Sequence, residues 1–428
     1  GDALLKRGEA ALAAQDTLGA ARVLADGGAL ARGDSLGLAA QEEAARLFRA
    51  GGAPDEAETA YRRLAREAPD PRARARALAN LGELQYDRGD RADAVATLTP
   101  WRAKRFPASL AADPDADARA RFTLGRVFAD SCLALAVAHP IQASLHRKLA
   151  ALGPALEQLK AAAKTTDSPF WGASGLMAGR LLEDLGTRLA ELPPPSVMTA
   201  ADSAGYKGAV EAQARTFWTR AEDLWIAALE GLPAPADSTT RPREGWAGRI
   251  WERLEPRLIQ HYPWRLAVED EGNTSALAEQ GGELVASLEP TAPFAPTTPD
   301  SLGAEFVENQ DVALRSQEIA RLLAAGDLDP AAHAAASAVE AHPRRAECWN
   351  DRGAALQRLG RWSEAEAAWT QALALDPNAP AALLNRAVFE RFYRLDRAAA
   401  RKDFERFLTL GREFDESLAD RMAEEKAK

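Results

Sequence analysis

The stretch Ala346–Ala379, AECWNDRGAALQRLGRWSEAEAAWTQALALDPNA, decides the fold. It reads as two helical segments broken at Gly360 and closed by Asp376-Pro377. An ordinary amphipathic helix accepts any large apolar residue on its buried face. Here small residues (Gly353, Ala365, Ala372) and large ones (Trp349, Trp369) hold separate positions. That pattern requires two helices that approach closely at some points and wedge apart at others. Gly353 and Ala365 mark the crossing, and Trp349 and Trp369 fill the wedge. Pro377 ends the second helix, because its ring cannot continue the ladder.

The frame recurs to either side. In residues 312–345, Gly326, Ala331, Ala335, Ala338 and Pro343 stand where Gly360, Ala365, Trp369, Ala372 and Pro377 stand in the next unit. Residues 380–411 keep the frame with a one-residue slip, through Ala387, Ala400, Phe404 and Phe407. The N-terminal part carries it as Leu4, Gly8, Ala20 and Leu24, then Ala45, Gly52, Ala57, Tyr61 and Pro69, then Gly82, Gly89, Ala94, Leu98 and Trp101. One such helix pair cannot bury its own apolar face, so the units must stack. In period and in its small-residue positions the pattern resembles the tetratricopeptide repeat (TPR) family. The resemblance implies a helical solenoid whose first helices line a groove for a protein partner.

The bulk composition agrees with an all-α fold. The 428 residues are 46% hydrophobic and 27% charged, a globular balance. Alanine-rich runs favour helix, and alternating Val, Ile and Thr runs are nearly absent. A net charge of −10 argues against nucleic acid as partner. The run RARARA at 72–77 reads as a solvated helix face. No apolar stretch is long enough to span a membrane. The chain starts without Met, which fits removal of an export segment or a shortened chain, with a cytoplasmic location as the alternative.

Five regions follow: an N-terminal TPR array (1–110), a long-helix central region (111–286), a Pro/Thr-rich linker (287–310), a C-terminal TPR array (311–411) and a helical tail (412–428). The central region holds six of the ten Trp, and an aromatic stripe at helical spacing is core in the first instance. Trp246 and Trp251 flank polar loops and offer a possible second partner surface. The segments ALEQLKAAAK, FWGASGLMAGRLLEDLGTRLAELPPP, YKGAVEAQARTFWTRAEDLWIAALE and RIWERLEPRL are similar to periplasmic TPR proteins of myxobacterial gliding and envelope-polysaccharide machinery. That resemblance implies an exported scaffold subunit of a trans-envelope assembly.

Catalytic and metal chemistry find no support in the motifs. The five His (139, 146, 261, 333, 342) lack ligand spacing, and Cys132 and Cys348 read as buried thiols. Phosphate loops, dinucleotide fingerprints and nucleophile elbows are missing. The expectation is a non-enzyme without cofactor or metal. Its partner-binding residues are Ser316, Gln317, Asn350, Asp351, Gln357, Arg358 and Asn385, a polar face suited to an extended backbone. A carboxylate clamp for chaperone tails would need Lys, and this face offers Ala320, Asn350, Ala354 and Asn385 instead. Small-ligand reception by the central helices is the third reading, and it requires a preformed apolar cavity.

Overall fold

The computed structural model describes residues 7–8, 10–11, 13–30, 35–102, 113–164, 167–195, 198–233, 238–266, 299–411 and 416–423. Among them every regular element is helical. The chain divides into two compact units, Gly1–Leu232 and Pro233–Lys428. The division falls inside the expected central region 111–286.

The first unit runs α1 (Thr17–Leu30), α2 (Ser35–Ala50), α3 (Pro54–Glu67), α4 (Pro71–Asp87) and α5 (Arg91–Thr97), then a 3-10 turn at Thr99–Arg102. Longer helices follow: α6 (Pro114–Ala134), α7 (Ile141–Ala162), α8 (Trp171–Ala190) and α9 (Ala200–Glu230). Neighbours pack in antiparallel pairs, and α2, α4 and α6 also touch one another in series, as the first helices of stacked pairs do. Sequence sets the starts. Asp70 accepts a hydrogen bond from the backbone N–H of Arg72, Asp113 from that of Ala116, and each is followed by Pro at the first helical position. Lys148 is fully buried, with Nζ 2.7 Å from Asp184 and donating to the carbonyls of Cys132 and Leu135, which ties α6, α7 and α8 together.

The second unit begins with α10 (Gly245–His261) and continues with α11 (Pro299–Ala325), α12 (Leu328–Ala341), α13 (Ala346–Arg358), α14 (Trp362–Leu375) and α15 (Pro380–Phe389). A π turn (Glu390–Arg394) extends α15, and α16 (Arg397–Leu408) and α17 (Glu416–Ala423) complete the unit. Of the expected linker, residues 287–298 lie outside the described residues, whereas from Pro299 the chain is already the start of α11. Within the tail, 412–415 and 424–428 likewise lie outside them.

The small positions behave as the repeat demands. A Cβ on Gly353 would sit 2.5 Å from Nε1 of Trp369, one on Gly82 2.5 Å from Cγ of Leu98, and one on Gly8 3.2 Å from Leu24. Each glycine of a first helix thus meets the large residue at the same offset in the second helix. Gly326 and Gly360 turn the chain between paired helices at φ 82° and 77°, a left-handed conformation open to glycine.

The one-residue slip after 380 also has a physical cause. A π turn accommodates one extra residue within a helix. Here it delays the left-handed turn to Leu395, at φ 59°. The extra residue turns Phe392 and Tyr393 inward, where both are buried.

Candidate functional site: a groove that holds its own chain

The helices α11, α13 and α15 adjoin one another, and the polar residues of that face are mostly enclosed. Ser316, Asn350, Asp351, Gln357 and Asn385 are all 3% exposed or less, Arg358 is half-buried, and Gln317 is exposed. What covers Asn350, Gln357 and Asn385 is the chain itself, the non-helical segment that leaves α10 at Tyr262.

Asn385 grips one residue of that segment from both sides. Its Oδ1 accepts from the backbone N–H of Arg265 at 2.9 Å, and its Nδ2 donates to the Arg265 carbonyl at 2.8 Å. Asn350 Nδ2 donates to the same carbonyl at 2.9 Å. A further bond, Asn385 Nδ2 to Asn350 Oδ1 at 2.9 Å, fixes the two amides against each other. Both contacts read backbone, which is how a groove holds an extended strand regardless of its side chains. Burial alternates along the segment as in a strand: Tyr262, Trp264 and Leu266 are buried, Pro263 is exposed and Arg265 half-buried.

The side chains set the register. Trp264 Nε1 donates to Gln357 Oε1 at 2.8 Å, and Gln357 Nε2 donates to Glu255 of α10 at 3.3 Å. Glu255 pairs in turn with Arg241, and burial pushes its carboxyl above the usual carboxylate range against that pull. The Trp264 ring lies 5.3 Å from Trp369 and 5.6 Å from Tyr393, and Tyr262 stacks on Phe392 at 5.1 Å. The π turn therefore supplies two of the aromatic walls, in keeping with the tendency of π bulges to sit at specialised sites.

The structure brings Asn350, Gln357 and Asn385 together, and nothing in the repeat frame signalled that Tyr262–Leu266 would meet them. The one available cue was the alternation of aromatic and polar residues in HYPWRL just after a helix. Trp251, expected as part of a second surface, is 3% exposed; it stacks on Tyr393 at 5.2 Å and meets Trp362 edge-on at 5.1 Å. Trp246 is half-buried beneath the Arg249 guanidinium, 4.9 Å from its ring centre.

No group of three or more His, Cys, Asp or Glu among the described residues is arranged to hold a metal ion, and no described helix is long and apolar enough to cross a membrane. Both cysteines are buried, and burial pushes the Cys348 thiol up to about 12, so it is not a nucleophile near neutrality.

Residues 346–379 match the family model described as tetratricopeptide repeat. No curated protein matches the chain. Among solved structures it is similar to a chain of the APC/C hetero-tetramer Cut9-Hcn1, at 14% identity and a TM-score of 0.31 over 96% of this chain and 79% of that one. It is also similar to the P58(IPK) TPR domain, at 15% identity and a TM-score of 0.24 over 98% of this chain and 96% of that one. Scores that low carry no argument; what the chain shows is a tetratricopeptide repeat at residues 346–379, set among stacked helix pairs.

Proposed function

We propose that the protein is a non-catalytic scaffold whose C-terminal array is built to hold an extended polypeptide, and that in the resting chain this polypeptide is its own segment Tyr262–Leu266. The observation that carries the reading is the paired-amide grip of Asn350 and Asn385 on the Arg265 backbone. A packed core does not need side-chain amides arranged to bind both the N–H and the carbonyl of one residue; a strand-accepting groove does. The setting we propose is an exported, trans-envelope assembly, supported by the likeness of the central helices to envelope TPR proteins.

The groove is tested with a fluorescent peptide spanning residues 258–266 and the full chain. Trp264→Ala loosens the resident segment, so that variant should bind the peptide about tenfold or more tighter than wild type, since wild type must first release its own strand. Adding Asn350→Ala and Asn385→Ala should abolish the gain. If the Trp264→Ala chain folds and takes up no peptide, the groove reading fails. The setting is tested separately: recovery of the native protein with the cytosol instead of the envelope fraction contradicts it.

A further inference from the structure

A second feature lies in the first unit, independent of the groove. The helices α7, α8 and α9 line a half-open cavity of about 400 Å³, within the roughly 300–1,000 Å³ typical of small-molecule sites. Its walls are almost wholly apolar, with Leu159, Ala178, Leu224 and Ala228 among them. Trp171 forms one side, its ring held by a bond from Nε1 to the Ala228 carbonyl at 2.8 Å.

Three features of this lining suit one kind of ligand. Ser174 is 2% exposed, and its hydroxyl has no hydrogen-bond partner among the described residues, although it lines the cavity. A buried hydroxyl left in that state is unfavourable until something binds it. Lys160, on α7, is an exposed residue of the lining and carries an ammonium group. Trp171 and Ser174 of the lining belong to the first turn of α8, which has no side-chain cap and no acidic residue, so its positive end is not neutralised locally. Apolar walls with a hydroxyl donor, an ammonium and a helix N-terminus describe a site for an anion with an apolar tail.

We propose that this cavity binds a small amphipathic carboxylate, its tail against Leu159, Ala178 and Leu224 and its carboxylate met by Ser174 and Lys160. Uncharged molecules of the same shape leave Lys160 and the helix end without a partner and bind more weakly.

Decanoate and decanol, titrated calorimetrically into the full chain, test the proposal. Decanoate should bind saturably, one per chain, and about tenfold tighter than decanol. Lys160→Ala should weaken decanoate by a similar factor and leave decanol unchanged, whereas Ser174→Ala should weaken both probes. Ala227 is an exposed lining residue, so Ala227→Trp should block the cavity without unfolding the helices, as circular dichroism would verify. Equal affinity for the two probes overturns the carboxylate assignment. Absence of saturable decanoate binding, or unchanged binding to Ala227→Trp, overturns the site.

Discussion

The two compact units solve the same problem by different means. In each, consecutive first helices lie side by side and must be held in register. In the first unit arginine and carboxylate side chains do this directly across α2, α4 and α6. Arg76 bridges Glu42 at 2.8 Å and Asp113 at 2.9 Å, and Glu83 lies between Arg49 at 2.7 Å and Arg119 at 2.8 Å. Asp87 joins Arg49 to Arg126. In the C-terminal array the equivalent face is held by a strand of the same chain, gripped by amides and packed among aromatic rings. Charge ladders leave a face wet and salt-sensitive, whereas a resident strand makes it dry and largely indifferent to salt.

The sharpest way to break that contrast is to remove the strand's anchor. Trp264→Ala deletes a buried indole and leaves Gln357 Oε1 without its donor, so it should cost the second unit about 3–5 kcal/mol. Hydrogen exchange across α13–α15 should report the loss, with the first unit unaffected. Protection unchanged in α13–α15 would mean that the strand contributes nothing to the array. On the same grounds the Asn350→Ala, Asn385→Ala pair should lower the melting temperature, since both amides are buried and bonded to the Arg265 backbone.

The matching perturbation in the ladder is Glu83→Gln. Glu83 is only 12% exposed, and its two arginines hold its carboxyl below the usual range despite the opposing effect of burial. Loss of its charge leaves Arg49 and Arg119 facing one another, at a cost of about 1–3 kcal/mol. High salt should shrink the difference from wild type. Since that pKa is depressed, the contribution is present above the ordinary glutamate value and fades as pH falls below it. An effect independent of salt would show that the ladder acts by packing instead.

How much of this was legible in the sequence differs between the arrays in the same way. Glycine and alanine spacing exposed the helix pairs because a close crossing admits only small residues, and Gly353 against Trp369 obeys that rule. The polar residues Asn350, Gln357 and Asn385 were legible as a surface suited to an extended backbone. That the backbone would be Arg265 was not, since no repeat frame links residues 85 and 120 positions apart. RARARA read as a solvated face because its alanines and arginines gave no sign of Glu42 or Asp113 waiting on neighbouring helices.

The π turn carries a pH effect of the next size. Burial pushes the Glu390 carboxyl up to about 7, helped by Glu366 and Asp396 nearby. A carboxyl so raised takes up protons on folding. Its contribution is therefore full below the ordinary glutamate value and is lost as pH climbs towards about 7. Glu390→Gln should flatten the fall in stability of the second unit over that window, by a difference of about 1–2 kcal/mol. Parallel melting curves for the two chains from acid to neutral pH would show that the group is not protonated in the fold.

The smallest effect distinguishes the slipped repeat from its regular neighbours. Gly326 and Gly360 make their turns with φ near 80°, yet the third turn is made by Leu395 at φ 59°. A leucine held in the left-handed region carries strain of about 1 kcal/mol or more, which glycine relieves. Two opposing terms reduce the gain: glycine adds freedom to the unfolded chain, and the half-buried leucine side chain gives up some apolar contact. Leu395→Gly should therefore stabilise the second unit by no more than about 0.5 kcal/mol, read as a slightly later denaturant midpoint at unchanged slope. The same change in a chain already carrying Trp264→Ala should give the same small gain, because the turn lies outside the strand's hydrogen bonds. A clear loss in either background would mean that Leu395 packs against the π turn strongly enough to hold Phe392 and Tyr393 in the groove.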